Sequence, residues 1–262
     1  MDWDIDGKVM KQLSNIWIAA SLLLCTCSRP GANCLQGPGR TVRLEVDVPS
    51  FTNITVFEQI QLVIQQGDER RVFIETGENL VSGVTANVES GTLLLNTNSS
   101  CQLFRDYDPI KVYVTTPVLH NLRSSTGWPI RSDGVLAFEQ LNLISESFTN
   151  PETETTDGSF DLELNTGILR LVSNGIAEFR LKGSTSELSI SLAAGDSRVA
   201  AGTLRANVVR IDHRGSNDVE VFPVSKISGR IRGYGDVISF NRPNEIDVAE
   251  EFRGRLLFVS GL

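Results

Sequence analysis

LVSNGIAEF at residues 171–179, SLAAGDSRV at 191–199, IDHRGSNDV at 211–219 and IRGYGDVISF at 231–240 are variants of one phrase, and its reading decides the fold. Each enters on an apolar-alternating run, turns through polar residues at a glycine, and leaves on a second apolar run. Gly175, Gly195, Gly215 and Gly235 stand 20 residues apart. A fixed period of this length marks stacked repeats. Leu188, Ile190 and Leu192 alternate with Ser189 and Ser191, Val219 and Val221 flank Glu220, and Phe179 and Leu181 flank Arg180. That period of two belongs to strands, and no long segment sustains the apolar spacing of a helix. Stacked coils would pair backbone groups across about 4.8 Å and bury every second side chain along the axis. Glycine suits the corners, where a Cβ has no room. The pattern predicts an all-β chain, a parallel β-helix-like solenoid with coils of about 20 residues. The repeat is imperfect, since Ser191 stands where Leu171, Ile211 and Ile231 are apolar. An antiparallel β-sandwich with evenly spaced hairpin turns is the alternative.

Outward from the ladder, residues 110–240 read as repeat coils, interrupted at 149–157 (TNPETETTD) by a polar, acidic insertion. Residues 41–109 read as a more antiparallel β region. There, Ile60, Leu62 and Ile64 alternate, Gly67-Asp68 turns, and Val72 and Ile74 return as in a hairpin, while Ser90-Gly91 marks another turn. Residues 241–262 read as a cap over an otherwise open β edge. The whole of 41–262 is read as one β domain.

The N-terminus reads as an export signal over residues 1–26. Ile16 to Cys25 is an apolar run of ten residues, too short to cross a bilayer and the right size for a signal h-region. Asp2, Asp4 and Asp6 are foreign to such a segment, so Met10 is the better start. Residues 27–40 are rich in Pro and Gly and read as a tether. Of the four cysteines, Cys27 fits a lipidation site, with Leu24 three residues before it, and Cys25 is a poorer match. Cys34 and Cys101 then remain to form one disulfide in an oxidising compartment. Two histidines and no opposed Cys-x-x-Cys pairs exclude a zinc site, and no metal or cofactor is expected. The net charge of −8 and isoelectric point near 4.9 argue against nucleic acid as a partner.

FTNITV (51–56), GENLV (77–81), VESGTLLL (88–95) and YDPIKVYVTTPVL (107–119), followed by the glycine phrases up to IRGYGDV (231–237), resemble the "putative auto-transporter adhesin, head GIN domain" family. The resemblance covers about residues 41–260. It implies an exported bacterial protein, often lipid-anchored, with a β-helix-like body and no assigned chemistry. No literal G-I-N tripeptide is present, and no run of alternating ten-residue strands follows Gly235 to form a membrane barrel.

Candidate site residues follow from the ladder. Asp196, Asp218 and Asp236 each lie within three residues of a ladder glycine, with Asn217 beside them. Lined up on one edge they could bind a ligand or serve acid/base glycoside chemistry; the structural reading is that Asp and Asn are good turn residues next to glycine. Trp128 and Tyr234 are candidate platforms for a sugar ring. No Ser/His/Asp set can be assembled, so no catalytic residue is assigned. The reading is an exported, lipid-anchored, non-enzymatic binding or scaffold protein of a Gram-negative cell envelope, facing the periplasm or the surface. A glycan is the ligand, and the bilayer is held through the N-terminal anchor. The alternative is a polysaccharide lyase or glycoside hydrolase using the ladder aspartates.

Overall fold

The computed structural model describes residues 37–97, 110–148 and 155–259. The signal segment, Cys25, Cys27, Cys34, Cys101 and most of the tether lie outside the described residues, as does most of the 149–157 insertion. The described strands belong to one compact unit, Pro38–Ser99 with Asp106–Leu262. It is all-β. Seventeen strands join in one continuous hydrogen-bonded sheet, and a single 3-10 turn, Val81–Gly83, is the only helical segment among the described residues.

The first six strands are β1 (Thr41–Val46), β2 (Asn53–Val56), β3 (Ile60–Gln66), β4 (Arg71–Gly77), β5 (Val84–Glu89) and β6 (Thr92–Thr97). Then come β7 (Ile110–Thr116), β8 (Asn121–Ser124), β9 (Pro129–Leu136) and β10 (Gln140–Ser145). Four long strands follow, β11 (Ser159–Ser173), β12 (Glu178–Leu192), β13 (Arg198–His213) and β14 (Val219–Ile231), before the short β15 (Val237–Ser239), β16 (Glu245–Glu250) and β17 (Leu256–Phe258).

Each long strand serves two ladders. The second half of β11 pairs with β10 (Leu171 opposite Leu143), and its first half pairs with β9 (Phe160 opposite Ile130). From β11 to β12 the register advances by 19 residues (Leu169 opposite Leu188), and from β12 to β13 by 20 to 21 (Phe179 opposite Val199, Ile190 opposite Ile211). Every pairing within β8–β17 among the described residues is parallel. The alternation read from the sequence points inward. Leu141, Leu169, Leu188, Val209 and Ile227 form one buried row, and Phe160, Phe179, Val199, Val219 and Val237 another. Phe160 and Phe179 stack with ring centroids 5.0 Å apart. Full burial of such a side chain is worth about 1.5–3 kcal/mol, so each added tier extends the core and the ladder together.

The ladder glycines occupy the turns between the two ladders. Gly175 carbonyl accepts from Asp196 N–H at 2.8 Å, Gly195 carbonyl from Ser216 N–H at 3.1 Å, and Gly215 carbonyl from Gly235 N–H at 3.2 Å. A Cβ at Gly195 would lie 2.2 Å from the Gly175 oxygen, and one at Gly235 would lie 2.0 Å from the Asn217 oxygen. Close stacking of turns is therefore what requires glycine; only Gly195 of the four also has a left-handed backbone, at φ +83°.

The N-terminal region departs from the expected hairpins. The pairs β1–β4, β4–β7 and β5–β6 are antiparallel, the last closed by Ser90 (φ 49°) and Gly91 (φ 76°) as expected for that turn. The segments around Gly67-Asp68 do not pair with each other. β3 is parallel to β7 and β9, β2 is parallel to β6 and β8, and β7 lies between β3 and β4. The parallel stack thus begins at Asn53 rather than at Ile110. It also continues past Phe240: the segment read as a cap supplies β16, parallel to β14, and β17, parallel to β15.

Candidate functional site

The glycine turns bring the ladder aspartates onto one edge. Asp196 accepts from the Ser216 hydroxyl, and its backbone oxygen accepts from Asn217 Nδ2 at 2.5 Å. Asp218 Oδ1 accepts from Asp236 N–H at 2.9 Å, and Asp236 Oδ1 accepts from Arg255 N–H at 2.8 Å. Each of the last two carboxylates thus holds the backbone of the turn stacked on it, which is the use that short polar side chains have beside glycine. No group of three or more His, Cys, Asp or Glu side chains able to hold a metal occurs among the described residues.

Tyr234 stands out from the same edge, 61% exposed. Its ring meets Phe252 edge-on at 5.0 Å, and Arg253 lies 5.5 Å from the ring centre. Trp128 is 40% exposed on the turn between β8 and β9, where its backbone N–H donates to Thr126 Oγ1 at 3.2 Å. It is five turns along the stack from Tyr234, roughly 24 Å at the ladder spacing. The structure therefore joins Tyr234 to Asp236 and keeps Trp128 apart; one sugar ring cannot touch both aromatics.

Beneath this edge His213 is fully buried in the row that holds Leu192 and Ile231 on neighbouring strands. Its Nδ1 accepts from Gly215 N–H at 3.3 Å, and its Nε2 lies against Gly235. Burial lowers its pKa below 6.5, against opposing contributions from the Asn217 and Gly235 backbone and the Asp218 and Asp212 carboxylates. The unfolded chain then binds a proton at this histidine more readily than the folded one, so stability falls as pH drops below about 6.5. His213→Leu, which matches the row's other side chains, is expected to flatten the pH dependence of the melting temperature between pH 7 and 5; an unchanged slope would show that other groups carry it.

Two further features were missed in the sequence. Asn121 Nδ2 donates to Asn53 Oδ1 at 2.6 Å, and Asn142 Nδ2 donates to Asn121 Oδ1 at 2.7 Å, an amide ladder across three parallel strands. The second is a groove of about 970 Å³ on the outer side of β13, β14, β15 and β17. Its walls carry Phe222, Phe240 and Phe258, all half-buried, and the exposed Arg205 and Arg242. The guanidinium of Arg205 lies 4.7 Å from the centre of Phe222, and that of Arg242 lies 4.6 Å from Phe258. The groove exists because β13 bulges: Ala200 pairs with Glu220 and Arg205 with Phe222, so five steps on one strand face two on the next. Gly202, in the bulge, leaves room for Phe240, whose ring would be 2.8 Å from a Cβ there. A signal was present, because the three phenylalanines recur at intervals of 18 residues.

Among the described residues no helix is long and apolar enough to cross a membrane. The fold is shared with solved bacterial structures. One, described as a putative adhesin from Bacteroides fragilis, is 20% identical, with TM-score 0.72, over 84% of this chain and 97% of that one. A putative lipid binding protein from Parabacteroides distasonis gives 16% identity and TM-score 0.56 over 86% and 98%. A putative adhesin from Parabacteroides merdae gives 15% and 0.55 over 86% and 98%. No curated protein matches the sequence. The model of the "putative auto-transporter adhesin, head GIN domain" family matches residues 50–243. These phrases, strands and turns make the chain a member of that family.

Proposed function

We propose that the protein is an exported, non-enzymatic binding module of the bacterial cell envelope, adhesin-like in its role, with a glycan as ligand. Its frame is a β-solenoid: parallel ladders advancing by about 20 residues per tier support that reading over a sandwich. Export and lipid anchoring at Cys27 rest on the signal-like N-terminus and on the family. A Cys27→Ser variant that still partitions with membranes would refute the anchor.

The observation that carries the non-enzymatic reading is the fate of the ladder acids. Asp218 and Asp236 accept from backbone N–H groups of the adjoining turn, so they are fixed as turn struts rather than poised as an acid/base pair. What remains on the outside is aromatic and arginine-bearing surface, the kind that recognises extended ligands. The test is a panel of acidic and neutral envelope polysaccharides incubated with the purified protein, read for both retention and new reducing ends. Saturable retention with a constant reducing-end titre is expected. Bond cleavage abolished by Asp196→Ala or Asp236→Ala would establish the lyase or hydrolase alternative instead.

A further inference from the structure

We propose that the groove on β13, β14, β15 and β17 is the ligand site and that it takes a stretch of anionic polysaccharide, its carboxylates met by Arg205 and Arg242 and its sugar faces by Phe222 and Phe240. This rests on the glycan-binding reading above and gives it a place and a chemical class.

Charge is the first reason. The chain carries −8 overall, yet this groove presents two guanidinium groups with no ion-pair partner among the described residues. Other cations on the neighbouring strands are used differently. Lys182 pairs with Glu163, Arg210 with Glu187, Lys226 with Glu245, and both Arg230 and Arg232 with Asp212. The one acid of the groove wall, Glu220, is engaged by Arg198 at 3.3 Å. A carboxylate-bearing ligand would complete an arrangement that the protein leaves open, and arginine's planar fork suits a carboxylate.

Preorganisation is the second. Arg205 and Arg242 lie over phenylalanine rings, which holds each guanidinium in place before a ligand arrives. Less side-chain freedom is then lost on binding.

Spacing is the third. Val221 pairs with Ser239, so the outward Phe222 of β14 and Phe240, just past β15, stand at equivalent positions. Their strands are about 4.8 Å apart, close to the advance of one pyranose unit along a polysaccharide. Ser239 pairs with Phe258, which sets Phe258 one position to the side, at the end of the groove beneath Arg242. The volume of about 970 Å³ lies within the usual range of ligand clefts, and its repeat along the stack axis suits a chain of like units better than a single compact molecule.

The experiment is calorimetric titration of the protein with oligogalacturonate, beside cello-oligosaccharide of equal length and vesicles of phosphatidylglycerol. Wild type is expected to bind the acidic oligosaccharide, more weakly as salt rises, and not the neutral one. Arg205→Gln and Arg242→Gln should each weaken binding about tenfold, and the double variant about 100-fold. Gly202→Val, which would push on Phe240, should weaken it without removing either charge. Trp128→Ala and Tyr234→Ala should leave it within twofold. Far-UV circular dichroism checks that the variants fold. Acidic-glycan binding unaffected by the arginine changes, or lost with Tyr234→Ala, would overturn the groove and leave the glycan reading standing. Absence of binding to any glycan would overturn both. Arginine-dependent binding to the vesicles instead of the oligosaccharide would overturn the glycan class.

Discussion

Gly195→Ala is expected to lower the unfolding free energy by about 3–5 kcal/mol, and Gly134→Ala by about 1–2 kcal/mol, in urea titrations followed by circular dichroism. Both glycines have φ of +83°. A side chain in that region costs on the order of 1–3 kcal/mol by itself. The two sites differ in what a Cβ would meet. At Gly134 nothing lies within 4 Å, whereas at Gly195 the Gly175 oxygen lies at 2.2 Å and the Asn174 oxygen at 3.0 Å. That carbonyl accepts the bond from Asp196 N–H, so moving it away breaks the link between successive turns. Overpacking of this kind adds about 1–3 kcal/mol. Equal losses at the two positions would mean that the glycine ladder reflects backbone conformation and not the stacking of turns.

Arg123→Ala should cost about 3–5 kcal/mol, the usual loss when one member of a buried ion pair is removed. Arg123 Nη2 lies 2.8 Å from Glu146 Oε1, and the two side chains are only 12% and 6% exposed. Arg123 Nη1 also donates to the Glu146 backbone oxygen at 2.7 Å, and Glu146 Oε2 accepts from Phe148 N–H at 2.7 Å. The pair therefore fastens the residues that directly follow β10 onto β8. Removing the arginine leaves a carboxylate buried without its cation. The double variant Arg123→Met, Glu146→Leu should recover most of the loss, because an apolar pair of similar volume carries no charge to desolvate. A loss in the double variant equal to that in Arg123→Ala would place the importance of Arg123 in packing.

How much of this was legible in the sequence depends on where each partner lies along the chain. The turns around Gly175, Gly195, Gly215 and Gly235 were legible because one steric demand recurs at a fixed interval. The inward rows were legible because burial imposes alternation on β11–β14. The placement of β2 and β3 was not. Asn53 pairs with Asn121 and Ile60 with Ile110, and an alternating strand looks the same whether its neighbour runs parallel or antiparallel. The β16 segment was read as a cap because Ile246 and Val248 are partly exposed and stand among Glu245, Asp247, Glu250 and Glu251.

The site was harder. Asp196 and Asp236 follow their glycines by one residue and Asp218 by three, yet Asp218 still reaches the N–H of Asp236. The groove depends on the bulge between Ala200 and Arg205, which is visible only as a break in register. Phe222 and Phe240 carry an interval of 18 because the register advance between β14 and β15 is 18, whereas Phe258 keeps that interval only by standing one position off, since the advance from β15 to β17 is 19. From Val199–Val219 to Val219–Val237 the advance drops from 20 residues to 18. A ladder of one period can conceal a shorter one beside it.

In the proposed function the ligand is held in the groove beside Phe222, Phe240 and Phe258 and left intact. A crystal structure of the protein with a short oligogalacturonate decides this. The expected result is an uncleaved sugar chain lying across Phe222 and Phe240, with carboxylates against Arg205 and Arg242. A sugar seated at the turn edge beside Tyr234 and Asp236, or found there as cleaved product, would contradict it.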